Sequence, residues 1–196
     1  MQPCVFLDRD GVLIEDVDLL TDMRQIRVLP GVAQALDRLR RGDYKLVVVT
    51  NQAVVARGST TLEQVHAINA EIERRLLLSG AWLDAWYVCP HHPSATLAEY
   101  RVDCECRKPR PGMIRRAAAE RGIDLPRSYM VGDRLSDIAA GASAGCRTVQ
   151  VTSGRHDAPP IETTAQFVQF TRPDHQCAGL LDATQWILAD AIRQAA

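Results

Sequence analysis

The sequence predicts an α/β fold: a single parallel, Rossmann-like sheet with helices on both faces and essentially no cap. Three observations carry this. Short apolar runs alternate with amphipathic stretches between Val5 and Val151, as in successive βαβ units. The run Lys45–Thr50 (KLVVVT) is nearly continuous in β-branched residues, as suits a strand buried on both faces. Polar residues gather at the carboxyl ends of three predicted strands, where open α/β sheets bind ligands.

The elements follow in order. Val5–Asp8 is the first strand. Pro30 suits a first helical turn, and the helix after it carries Val32, Ala35, Leu36 and Leu39 on one face and ends at Gly42. Lys45–Thr50 is the second strand. Thr60 and Glu63 have capping-box spacing and start a helix that runs to about residue 78 and stops at Gly80. Ala85–Val88 is the third strand, residues 89–106 form a Cys/His loop, and Pro111 opens a helix to about Arg121. Tyr129–Gly132 is the fourth strand. A small-residue helix covers 135–144, and Arg147–Val151 is the fifth strand. Residues 153–175 read mostly as loop, with Phe167–Phe170 a candidate edge strand, and Leu180–Ile192 reads as a closing helix. The crossovers are expected to be right-handed.

Bulk properties narrow the function. A chain of 196 residues suits one domain, 1–196, with the loop 89–106 as its only excursion. A net charge of −1 argues against a nucleic-acid partner. No apolar run is long enough to span a bilayer, and the N-terminal stretch lacks a signal-peptide pattern. A cytoplasmic monomer is the expectation. The six cysteines are then expected as thiols, with Cys4 and Cys146 buried.

The most informative segment is Asp8-Arg9-Asp10-Gly11. Residues two apart in a strand face the same side, so both carboxylates can converge at the strand end. Such a pair asks for a cation, an acid/base role, or both. Thr50-Asn51-Gln52 ends the second strand, Asp133 follows the fourth, and Arg107-Lys108 precede the Pro111 helix. Carboxylates for a hard cation such as Mg²⁺, a hydroxyl, amides and a fixed positive charge suit phosphoryl transfer.

In the loop, Cys89-x-His91, twelve further residues and Cys104-x-Cys106 supply three thiolates and an imidazole. That set suits structural Zn²⁺; a metal-free loop is the alternative, and His92 is a rival to His91.

Four motifs, LDRDG at 7–11, VVTN at 48–51, Lys108 and GDRLSD at 132–137, resemble in order those of the haloacid dehalogenase (HAD) superfamily of aspartyl-phosphate phosphatases. TNQ followed by Ala56-Arg57-Gly58, CPHHP…CECRKPRPGM, and YMVGD resemble, within it, the D-glycero-D-manno-heptose 1,7-bisphosphate phosphatases. The resemblance covers about residues 4–152 and implies an Mg²⁺-dependent phosphatase for a sugar (bis)phosphate, with the 7-phosphate of D-glycero-D-manno-heptose 1,7-bisphosphate the leading reading. It implies Asp8 as nucleophile and Asp10 as general acid/base. Asp8, the Asp10 carbonyl and Asp133 would hold Mg²⁺, and Thr50 and Lys108 would stabilise phosphoryl oxygens. Asn51, Gln52, Arg57, Arg107 and Arg134 become candidate substrate contacts. Asp137 is expected to support the site or be solvated, not to bind metal. The resemblance also implies Zn²⁺ on Cys89, His91, Cys104 and Cys106. Because Arg107 and Lys108 follow Cys106 directly, such a metal is expected to pin the loop so that both point into the site.

Leu13-Ile14, the stretch Glu15–Leu20, and Ala53-Val54 depart from that family's usual sequence, which leaves substrate and anomer open. A histidinol-phosphate phosphatase, another sugar-phosphate phosphatase, and a non-catalytic Zn-stabilised binding protein are the alternatives. Trp82, Trp86 and Trp186 are expected in core or rim packing. His156, His175 and the Arg38–Arg41 cluster are expected to be solvated.

Overall fold

Val5 and Leu7 belong to one apolar cluster, Cys4 and Phe6 to another, and all four are fully buried. A strand so divided must lie between two layers of helices. The structure, a computed structural model, describes residues 1–17, 19–154 and 171–195. Among these residues the strands are β1 (Cys4–Leu7), β2 (Lys45–Asn51), β3 (Ala85–Cys89), β4 (Tyr129–Gly132), β5 (Arg147–Val151) and β6 (His175–Cys177). They form one sheet in the order β3-β2-β1-β4-β5-β6, with every pairing parallel.

One face takes Val5, Leu7, Leu46, Val48 and Val131 against α1 (Val32–Arg41), α3 (Leu62–Leu78) and α6 (Leu180–Ala195). The other takes Cys4, Phe6, Val47, Val49 and Met130 against α4 (Gly112–Arg121) and α5 (Leu135–Ala144). Each fully buried large apolar side chain contributes about 1.5–3 kcal/mol. The short helix α2 (Ala53–Ala56) follows β2 directly. Between β1 and α1, and between β3 and α4, the only helices among the described residues are single 3₁₀ turns, Met23–Gln25 and Ala98–Tyr100. Among the described residues, the site edge therefore carries no cap domain.

The predicted elements recur with small shifts at their ends. The capping box of α3 is one residue later than expected. Thr61 Oγ1 accepts from Gln64 N at 3.2 Å, and Gln64 Oε1 accepts from Thr61 N at 3.0 Å. Thr60 is buried and donates to Gln64 Oε1 at 2.7 Å. Both Thr residues have a partner three residues on, so spacing alone could not choose between them.

Strand β6 was not expected. His-Gln-Cys carries no apolar run, and the strand forms as an edge that needs only one neighbour. Asp174 holds its start, accepting from Thr148 N at 2.8 Å and Thr148 Oγ1 at 2.9 Å. His175, expected solvated, instead stacks on Trp186 at 4.9 Å. The Phe167–Phe170 strand and His156 lie outside the described residues.

Trp86 and Trp186 pack against the core. Trp82 is an exposed rim residue under Arg40, whose guanidinium also pairs with Asp84 at 3.1 Å. Arg40 is therefore less solvated than expected. All six cysteines are free thiols, with Cys4 and Cys146 buried.

Candidate active site and metal centre

The register places the chemistry. Leu7 pairs with Val48 on one side and Val131 on the other. Asp8, Thr50 and Asp133 then follow within two residues on three adjacent strands. Asp8 N donates to Val131 O at 3.0 Å, which extends the ladder to Asp8. Gly11, at φ +75°, turns the chain away. Asp8, Thr50, Lys108 and Asp133 are all buried.

Lys108 Nζ sits at the centre. It lies 2.9 Å from Asp8 Oδ1 and 2.6 Å from Asp137 Oδ1, and donates to Val49 O at 2.7 Å. Burial works against this ammonium, but Asp137 and Asp8 outweigh it and hold its pKa above the usual lysine value. Burial likewise pushes the Asp8 carboxyl up to about 6; Lys108 opposes that rise, while Asp137 and Asp10 add to it.

Asp137 is not solvated: it is 1% exposed, and its Oδ2 accepts from Arg134 N at 3.0 Å. Gly132 makes room for it, because a Cβ there would collide with the Asp137 side chain.

Asn51 uses both ends of its amide on the Lys108 backbone. Nδ2 donates to Lys108 O at 3.0 Å, and Oδ1 accepts from Lys108 N at 3.1 Å. Gln52 is buried and donates to Asp10 Oδ2 at 2.9 Å and Thr50 Oγ1 at 2.8 Å. These two side chains thus brace catalytic candidates.

Arg57 is exposed at the end of α2, and its charge reaches Arg107. Arg107 donates to His91 O at 3.0 Å, and burial, the largest cause, holds its pKa below the usual arginine value. Arg134 follows β4, on the other side of β1. It pairs with Asp16 at 3.2 Å and approaches Asp133 at 4.0 Å. The five candidate contacts therefore divide into two internal braces and three cations at the rim.

Asp8, Asp133 and Asp137 bring carboxylate oxygens within 4.8 Å of one another. An all-oxygen buried set suits a hard cation, although Asp137 is already committed to Lys108. Ser153 and Gly154, read only as loop in the sequence, form a wall here. Ser153 Oγ donates to Gly11 O at 2.7 Å. A Cβ on Gly11 would come within 2.8 Å of both the Asp133 carboxylate and Gly154 Cα. The two glycines are needed because their backbones approach Asp133 so closely.

The second cluster lies where β3 ends. Sγ of Cys106 is 3.1 Å from that of Cys89 and 3.0 Å from that of Cys104. His91 Nδ1 is 3.4 Å from Cys106 Sγ and 3.9 Å from Cys89 Sγ. The four donors lie within 4.8 Å of one another and can hold a metal. Hydrogen bonding from Cys89, the largest cause, lowers the Cys106 thiol, with Cys104 and His91 adding to it. His92, the rival, spends Nδ1 accepting from Ser94 N at 3.1 Å.

Sequence reasoning passed over Arg9 and Asn69. Arg9 is buried beside Asp10, and Asn69 is buried on α3. A signal for Asn69 exists: it falls in the apolar stripe Val65, Ile68, Ile72, Leu76.

Known proteins bear on this geometry. A HAD-hydrolase-like family model matches residues 105–183. A D-glycero-beta-D-manno-heptose-1,7-bisphosphate 7-phosphatase of Escherichia coli O6:H1 is 39% identical over 167 residues, covering 85% of this chain and 88% of that protein. One from Rhodopseudomonas palustris is 40% identical over 144 residues, covering 74% and 80%. The crystal structure of D,D-heptose 1,7-bisphosphate phosphatase from B. bronchiseptica, complexed with magnesium and phosphate, superposes with a TM-score of 0.80 at 33% identity. It covers 96% of this chain and 99% of that one.

Proposed function

Because the chain belongs to the D-glycero-D-manno-heptose-1,7-bisphosphate 7-phosphatase family of HAD-like hydrolases, we propose that it removes the 7-phosphate of that sugar bisphosphate through an aspartyl-phosphate. It is a phosphoric monoester hydrolase. The observation that carries the residue roles is the buried Lys108–Asp8 pair at 2.9 Å, set beside Asp133 on the sheet's carboxyl edge.

In the first step an Asp8 carboxylate oxygen attacks phosphorus. The Asp8 O–P bond forms as the bond to the sugar oxygen breaks, and Asp10 gives its proton to that leaving oxygen. In the second, Asp10 takes a proton from water. The water oxygen bonds to phosphorus, the Asp8 O–P bond breaks, and phosphate and free Asp8 are returned. Lys108 and the Thr50 hydroxyl stabilise charge on the phosphoryl oxygens. Asp8, the Asp10 carbonyl and Asp133 are the residues that would hold Mg²⁺, whose chemistry is to neutralise phosphoryl oxygen charge. Arg57, Arg107 and Arg134, the three cations at the rim, would meet the rest of an anionic substrate.

Cys89, His91, Cys104 and Cys106 would hold Zn²⁺ as a structural ion, since four protein ligands leave no position for water. The loop runs directly into Arg107 and Lys108, so its order sets theirs.

The test is phosphate release, with Mg²⁺, from a panel of heptose mono- and bisphosphates, other sugar phosphates and histidinol phosphate, run beside Asp8→Asn. Preference for the heptose bisphosphate and loss of turnover in Asp8→Asn are expected. Equal rates on all esters would remove the substrate reading. Preserved turnover in the variant would remove the nucleophile.

A further inference from the structure

Arg9 stands between the two catalytic carboxylates and is 2% exposed. A buried guanidinium is tolerated only when its donors are paired and its charge is met. Its Nε donates to Asp10 Oδ1 at 3.2 Å and Oδ2 at 3.1 Å, and its Nη2 to Asp10 Oδ1 at 3.0 Å. Nη2 also donates to Gln52 Oε1 at 2.9 Å, and Nη1 to Asn69 Oδ1 at 3.1 Å. Among the described residues, Asp10 is the only carboxylate in ion-pair contact with Arg9.

The contact is side-on. Two nitrogens of a rigid planar fork grip both oxygens of one carboxylate, which fixes its plane as well as its distance. Gln52 adds a third donor to Asp10 Oδ2 at 2.9 Å. Asn69, buried on α3 60 residues away in sequence, anchors the far end of the guanidinium.

We propose that Arg9 is a positioning residue that holds the Asp10 carboxylate in the orientation from which it protonates the leaving sugar oxygen, with Asn69 as its anchor. This rests on the acid/base reading of Asp10. In that step the Asp10 O–H bond breaks, the proton passes to the sugar oxygen, and the P–O bond to the sugar breaks as Asp8 bonds phosphorus. A sugar alkoxide is a poor leaving group and needs that proton; a nitrophenolate does not. A merely structural Arg9 would affect both esters alike.

The experiment compares kcat/KM for heptose 1,7-bisphosphate and p-nitrophenyl phosphate in wild type, Arg9→Lys, Asn69→Ala and Asp10→Asn, all with saturating Mg²⁺. The ratio kcat/KM reports only steps up to departure of the leaving group. Lysine keeps the charge but loses the planar fork. Arg9→Lys is expected to lose roughly 10- to 100-fold on the sugar ester and under about threefold on the aryl ester, up to the lower end of general-acid contributions, because the acid itself is still present. Asn69→Ala is expected to show the same selectivity, weaker. Should Arg9→Lys fail to fold, by its circular dichroism and melting, the Asn69→Ala ratio decides alone.

Equal loss on both esters, or none, in the variants that fold overturns the role of Arg9 while Asp10→Asn remains selective. Loss of selectivity in Asp10→Asn itself instead removes the acid role of Asp10, and the Arg9 proposal with it.

Discussion

Lys108 Nζ lies 2.6 Å from Asp137 Oδ1, and both side chains are almost completely buried. The same ammonium reaches Asp8 at 2.9 Å. Asp137 thus holds the Lys108 ammonium beside Asp8, and it does so from the first turn of α5. Removing one partner of a buried ion pair leaves an uncompensated charge. Asp137→Ala is expected to cost about 3 kcal/mol in urea unfolding and to lower kcat. Lys108→Met is expected to lower kcat roughly 10²- to 10³-fold, as loss of a preorganised donor does. An Asp137→Ala protein with unchanged kcat would show that Asp8 alone orients the lysine.

With Asp8 as the proposed Mg²⁺ ligand, its carboxyl, pushed up to about 6 by burial, would link cation binding to pH. Below that value a proton competes with the cation for Asp8; above it the carboxylate is available. Mg²⁺ is therefore expected to raise the melting temperature more at pH 8 than at pH 5. An equal rise at both would mean that Asp8 does not bind the ion.

If the Cys/His cluster holds Zn²⁺ as proposed, stripping it is expected to lower the melting temperature and turnover together, even with saturating Mg²⁺. Arg107 donates to His91 O, and Lys108 follows it, so a disordered loop carries both cations away. Full turnover in Zn-depleted protein would show that Asn51, which grips the Lys108 backbone at 3.0 and 3.1 Å, suffices.

Asp190 ties α6 to the sheet. It accepts from Tyr129 Oη at 2.9 Å and Gln194 Nε2 at 2.6 Å and pairs with Arg147 at 3.0 Å. Burial works against its ionised form, but Tyr129, Gln194 and Arg147 outweigh it and hold the pKa below the usual aspartate value. A depressed folded pKa stabilises above the unfolded value, near about 4, and is lost as pH falls through the folded one. The stability advantage of wild type over Asp190→Asn is expected to be full at neutral pH and to shrink below about pH 4. An advantage constant down to pH 2 would remove the ionic contribution.

Much of the site was legible because its signals are local. Asp8 and Asp10 are spaced for one side of a strand end, and KLVVVT reads as a buried strand whatever surrounds it. The three clustered cysteines and His91 lie within 18 residues of loop. Strand β6 was not legible, because an edge strand takes its stability from β5 and from the Trp186 ring and not from its own side chains. Nor could spacing choose Thr61 over Thr60 as the cap.

By itself, then, the sequence determined the order of elements from β1 to β5, the spacing of the carboxylate pair, the polar motifs at the strand ends and the Cys/His cluster. Each depends on periodicity or on neighbours a few residues apart. The tertiary structure alone decided which polar side chains serve one another. Asn51 meets Lys108 across 57 residues, Arg9 meets Asn69 across 60, and Ser153 meets Gly11 across 142. A buried donor must find an acceptor wherever the fold brings one, and no local pattern records which it will be.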